Sequence, residues 1–195
     1  MVKNISLYGD PILTRISKPI EKDDFGDELE EFILDMIDTL KHHGALGLAA
    51  PQIGVSKRIL IVSQTDNPPL VFINPSIIEN SKEIEMGQEG CLSVPGVICE
   101  IPRFRDITIK YLDIEGIEAM GALTDLEARI FQHEFDHLNG REMLYYLTPV
   151  RRGLIEGKLK KILKYRKFLE KNSELLDAIT DEHTETHENE THKSL

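Results

Sequence analysis

In Gln132-His133-Glu134-Phe135-Asp136-His137-Leu138, two imidazoles four residues apart and a carboxylate beside the first are spaced for metal-assisted hydrolysis. On a helix, residues i and i+4 lie one turn apart on the same face, so His133 and His137 can bind one ion. Glu134 falls at the edge of that face. There it is placed to take a proton from a water on the metal rather than to ligate the metal. The alternative is an exposed helix that happens to carry two histidines; the five-residue pattern arises by chance in roughly one chain of this size in a few hundred. Two histidines need at least a third protein ligand, and a catalytic site keeps a further position open. Glu89-Gly90-Cys91-Leu92-Ser93-Val94-Pro95-Gly96 offers Cys91, after a run that reads as strand and among glycines that let the backbone turn and approach a neighbour. A lone cysteine is more often a small buried hydrophobe, so Cys91 carries weight only together with other segments.

The elements that must position these residues are legible from apolar periodicity. Leu29, Phe32, Ile33, Met36, Ile37 and Leu40 recur at three-and-four spacing and predict a helix from about Asp27 to His42, stopped by Gly44. Ala45-Leu46-Gly47-Leu48-Ala49-Ala50-Pro51-Gln52 is built of small residues that let backbone come close to a neighbour or ligand. From Arg58 to about Leu123 the pattern turns to strands: Ile59-Leu60-Ile61-Val62, Val71-Phe72-Ile73, Ile77-Ile78, and Ile107, Ile109 and Tyr111 alternating with polar residues. Asp113-Ile114-Glu115-Gly116 reads as a hairpin turn. Thr124 followed three residues later by Glu127 is a capping-box signature, so the histidine helix should begin near Asp125 and end at Asn139-Gly140. After Pro149, Ile155, Leu159, Ile162, Leu163 and Leu169 form an apolar stripe opposite lysines and arginines. Beyond Thr180 the composition is too polar to bury a core, which predicts disorder; the irregular His183, His187 and His192 there fit a solvated tail better than a metal site.

A chain of 195 residues with 41% hydrophobic content suits one domain with an ordinary core. Cys91 and Cys99 are too few for a disulfide framework, which points to a reducing compartment. No apolar run near the N-terminus is long enough for a signal peptide or a membrane span, and the expectation is a cytoplasmic protein with no membrane partner. The net charge of -11 argues against a general DNA or RNA binder. Yet between Arg151 and Lys171 nine basic residues face only Glu156 and Glu170. A solvated helix face and a surface for a polyanion account for that segment equally well.

Ala45 to Gln52, Glu89 to Gly96 and Gln132 to Gly140 resemble, in order and separation, the three signature segments of peptide deformylases, and Tyr8-Gly9-Asp10-Pro11-Ile12-Leu13 and Lys18-Pro19-Ile20 are similar to that family's opening. The resemblance covers about Ser6 to Pro149. It implies hydrolytic removal of the formyl group from the formyl-methionine of nascent polypeptides, with release of formate. By position it implies Cys91, His133 and His137 as metal ligands, Glu134 as general acid and base, and Gln52 with the backbone N–H of Leu92 as oxyanion donors. Gly47 and Leu48 would present backbone to an extended peptide, and Glu89, Gly90, Leu126 and Ile130 would surround the methionine side chain, although packing explains Leu126 and Ile130 equally well. The usual metal of the family is Fe2+, with Zn2+, Ni2+ or Co2+ able to take its place. In some bacterial members a C-terminal helix docks on the ribosome, a role the 151–171 segment would suit.

The expected architecture is α+β: mostly antiparallel sheets around a central metal-binding helix, with an N-terminal helix and a C-terminal amphipathic helix. Residues 1–149 would form the deformylase domain, 150–180 the basic helix packed on it, and 181–195 a disordered acidic tail. Three positions depart from the family pattern. Ala45 stands where glycine is usual and would be strained if a positive φ were required. Ile98 stands where many members carry arginine, although Arg103 matches a second family arginine, and Tyr145 stands where aspartate is common. Two other readings of the same helix are a zinc endopeptidase, which predicts a carboxylate or histidine third ligand, and a non-enzymatic binding protein working through its basic segment.

Overall fold

The computed structural model describes residues 1–64 and 67–191, with side chains through residue 172. The first helix, α1 (Asp27–His43), buries Leu29, Ile33, Met36 and Leu40 along the stripe its periodicity predicts. Its first turn is acidic and its last basic, which suits the helix dipole. Gly44 ends it in the left-handed conformation (φ 59°), its N–H donating to the Leu40 and Lys41 carbonyls.

Among the described residues seven strands follow in chain order: β1 (Gly47–Ala49), β2 (Ile59–Val62), β3 (Leu70–Asn80), β4 (Ile84–Cys91), β5 (Val94–Phe104), β6 (Asp106–Leu112) and β7 (Glu118–Thr124). Five of them form an antiparallel sheet in the order β1-β2-β3-β6-β7, while β4 and β5 make a separate hairpin. The four-residue apolar run of β2 is explained by burial on both faces: Ile59 and Ile61 pack with α1, and Leu60 and Val62 face the opposite core. The two apolar runs at 71–73 and 77–78 are joined into one strand, bulged where Asn74 sits at φ 49°. Asn74 is held there by reciprocal hydrogen bonds to the Ile20 backbone at 2.7 and 2.8 Å.

Helix α2 (Asp125–Leu138) packs against β1, β2 and β7 of the sheet and against β5 of the hairpin, so it is nearly enclosed. Phe131 anchors it edge-on against Phe72, with ring centroids 5.2 Å apart. Its start differs from the expected capping box, because the Thr124 side chain makes no capping bond. The chain enters the helix through Asp125 at φ 49°, with the Asp125 N–H bonded to the Arg105 carbonyl, and that entry lacks the geometry a box requires.

The last helix, α3 (Pro149–Thr191), sets Leu159 and Ile162 against Val94, Val97, Cys99 and Ile101 on the inner face of the hairpin. Leu169, expected in that stripe, is 43% exposed. The backbone of α3 also continues past the division expected at 180/181, since intrahelical hydrogen bonds do not require a buried face; residues 192–195 of the expected tail, with His192, lie outside the described residues, as do the side chains of His183 and His187. Among the described residues no helix is long and apolar enough to cross a membrane.

Candidate metal centre and active site

Burial of α2 on both sides turns its polar residues inward, and His133, Glu134, Asp136 and His137 are all buried. The hairpin brings Cys91, the last residue of β4, to the same point. Ligand atoms of Cys91, His133 and His137 lie within 4.8 Å of one another, and Cys91 Sγ is 3.3 Å from His137 Nε2. A thiolate and two imidazoles converging from two elements fit one divalent transition-metal ion, and the Cys-His-His chemistry suits iron, zinc, cobalt or nickel. His137 Nδ1 is buried without a partner among the described residues.

His133 is oriented by Glu89, whose Oε2 lies 2.8 Å from His133 Nδ1 and so leaves Nε2 to face the site. Glu89 also accepts from Arg103 Nε and Nη2, both at 2.9 Å, and from Arg129 Nη1 at 3.0 Å. Four donors saturate a carboxylate. Burial raises the Glu89 pKa, but His133 and Arg103 outweigh it and hold the group at about 2. Arg103 continues the network to Asp136, which also accepts from the Tyr146 hydroxyl at 2.9 Å. Such a buried network positions its members only while every one is paired.

Glu134 has the opposite environment. Its Oε2 is buried with no partner among the described residues, and desolvation pushes its carboxyl up to about 7 against the opposing pull of His133. Gly47 explains how β1 approaches it so closely: a Cβ at that position would stand 2.6 Å from Glu134 Oε1 and 2.8 Å from Ile130 Cγ2. Only glycine fits there. Across the site, Gln52 Nε2 points to Cys91 Sγ at 3.6 Å, and its Oε1 is fixed by the Ala49 N–H at 2.7 Å.

A cleft of about 490 Å³ opens onto these groups and is lined in part by Gly47, Gly90, Leu92, Leu126 and Ile130. The Leu48 side chain is fully buried in the core beneath α1, as its place on an alternating strand dictates. Glu89 borders the cleft, and its oxygens pair with His133, Arg103 and Arg129. Ala45 does not take a positive φ, so the strain considered for it is absent. Ile98 and Tyr145 are both exposed.

Arg129, Asp136 and Tyr146 went unnoticed in the sequence as functional residues. Arg129 lies one turn before His133 on the same helical face, and Asp136 lies three residues after it. That spacing was the available signal for both. Tyr146 carried none, because only the fold brings it to Asp136.

Comparison with known proteins agrees with this geometry. The family model for polypeptide deformylase matches residues 2–152. A peptide deformylase of Thermotoga petrophila is 41% identical over 160 residues, covering 82% of this chain and 96% of that protein. The crystal structure of peptide deformylase from Thermotoga maritima superposes with a TM-score of 0.72 at 40% identity, covering 76% of this chain and 99% of that one. A peptide deformylase structure from Plasmodium falciparum gives 0.79 at 36% identity, covering 84% and 97%.

Proposed function

The chain belongs to the polypeptide deformylase family and removes the formyl group from the N-terminal formyl-methionine of nascent polypeptides, releasing formate; from that premise we propose how its own residues divide the work. Cys91, His133 and His137 hold one divalent metal ion, taken to be Fe2+, with Zn2+, Ni2+ or Co2+ compatible with the same donors. When bound, the ion supplies Lewis acidity, which makes water a competent nucleophile near neutral pH and polarises a carbonyl.

Glu134 receives the proton of the attacking water at its unpartnered carboxylate and returns it to the leaving amine. Gln52 donates its amide N–H to the oxyanion that develops on the formyl oxygen, already aimed because Ala49 holds its other end. The backbone N–H of Leu92 is the second donor. Loss of one such donor raises the barrier by about 3–4 kcal/mol. Asp136 and Arg103 act through Glu89, which keeps the His133 imidazole in place.

β1 is at the edge of its sheet, paired only with β2, so the backbone at Gly47 and Leu48 is available to an extended peptide as an added strand. Gly90, Leu126 and Ile130 border the space for the methionine side chain, with Glu89 behind them. We further infer a cytoplasmic protein whose 151–171 segment contacts ribosomal RNA, a reading supported by its exposed Lys160, Lys161, Lys164 and Lys167.

The observation that carries the reading is the free Glu134 oxygen beside three converging ligand atoms in one cleft. Anaerobic purification, metal analysis and a formate-release assay on a formyl-Met peptide test it. One equivalent of metal and stoichiometric formate are expected. Internal cleavage of unformylated peptides, with metal content undiminished in Cys91→Ser, would instead favour the endopeptidase. Replacing Lys160, Lys161, Lys164 and Lys167 by Glu should weaken ribosome co-sedimentation in a salt-sensitive way, and unchanged binding would remove that contact.

A further inference from the structure

His43, Leu92 and Pro95 line two depressions at once: the cleft that holds Glu134 and a second groove of about 1040 Å³. The groove leads away from the cleft between the N-terminal segment at Val2–Leu7 and the outer part of α3. A polypeptide with its first residue in the cleft must leave it somewhere, and this shared rim gives a continuous path. We propose that the groove binds the segment of the substrate polypeptide downstream of its first few residues and prefers apolar side chains there. The proposal rests on the reading of the cleft as the deformylation site.

The character of the walls selects that occupant. Tyr165 and Leu169, one helical turn apart, present 55% and 43% of their surface to solvent, on a stretch of α3 otherwise rich in lysine. Val2 on the opposite wall is half exposed, and Ile5, Ile53 and Leu92 line the groove with it. Of the charged groups at the margin, Lys3 pairs with Asp35 at 2.8 Å and Arg166 with Glu170 at 3.0 Å, while Asp10 accepts from the Ile12 N–H at 3.0 Å, so cations and carboxylates are balanced there. The groove therefore offers little net charge to an acidic ligand and a connected apolar surface to a neutral one. A nascent chain fits this description, because it is extended and has not yet buried its apolar side chains. A folded protein of the same composition would hide them.

Formate release is compared for a formyl-Met tripeptide and a formyl-Met decapeptide with leucines beyond its third residue, using the full-length metal-loaded protein. The expected kcat/KM is about tenfold higher for the decapeptide, consistent with burying one or two apolar side chains at some ordering cost. The Tyr165→Ser, Leu169→Ser double variant should lose that advantage while the tripeptide, too short to reach α3, is turned over unchanged. A decapeptide with serines in place of the leucines should behave like the tripeptide. Equal kcat/KM for both lengths in the natural protein, or an advantage that survives in the double variant, would overturn the groove while leaving the cleft intact. Absence of formate from every peptide would overturn the cleft reading and the groove with it.

Discussion

Glu89 Oε2 sits 2.8 Å from Nδ1 of His133, so the residue two before one metal ligand, Cys91, holds another ligand in orientation. The hairpin and α2 are thereby joined at the site through Glu89 itself, which also pairs with Arg103 and Arg129. Glu89→Gln keeps the shape and one acceptor but removes the charge. The expected result is metal release to a chelator faster by about 10–100-fold, with the fold retained. An unchanged release rate would mean that the carboxylate does not hold the imidazole.

Glu134→Gln should lower kcat for formate release by about 10²–10⁴-fold and leave metal content unaltered. Because the Glu134 carboxylate is buried with one oxygen unpaired, its replacement by a neutral amide is not expected to lower the melting temperature. Retained turnover would assign the proton transfer to another group.

Gly47→Ala tests the close approach of β1 to α2. The added methyl would meet Glu134 Oε1 at 2.6 Å and Ile130 at 2.8 Å, and neither can withdraw freely from a packed helix. A stability loss of about 1–3 kcal/mol in chemical denaturation is expected, with a larger loss of kcat than of metal affinity. Wild-type kinetics in this variant would show that the backbone spacing is not tuned to Glu134.

Glu142 supplies a pH prediction away from the metal. Its Oε1 is buried without a partner among the described residues, and desolvation raises its pKa from 4.5 to about 7, with Arg152 opposing. The unfolded chain ionises this group near pH 4.5 while the folded one resists until about 7, so the favourable contribution is full below 4.5 and lost as pH rises through 7. Glu142→Gln should therefore stabilise the protein by about 1–3 kcal/mol at pH 8 and much less at pH 5, read from denaturant midpoints. Equal effects at the two pH values would contradict the assignment.

Much of the site was written in local spacing. His133, Glu134 and His137 follow from helical geometry, and the α1 stripe with its stop at Gly44 follows from periodicity and the freedom of glycine. Both are short-range relationships, set by residues within a turn or two of one another. The capping box at Thr124 was also a local inference, and the Thr124 side chain makes no capping bond; the chain enters the helix through Asp125 at φ 49°, its N–H bonded to the carbonyl of Arg105, the residue between β5 and β6. Resemblance places the Leu48 backbone and Glu89 near the substrate, and only the fold shows that the Leu48 side chain is buried in the core and that Glu89 also orients His133.

The sequence by itself determined the chemistry available: which side chains can ligate, which can carry a proton, and which helix carries them. Tertiary structure alone decided their partners. It brought Cys91 to the two histidines, aimed Gln52 through Ala49, and closed Tyr146 and Arg103 around Asp136. The reason is physical. Side-chain spacing along one element is fixed by covalent geometry and hydrogen bonding within a few residues, whereas contacts between elements depend on how β4, β5 and α2 pack together. That packing is the sum of many weak apolar contacts distributed over the whole chain.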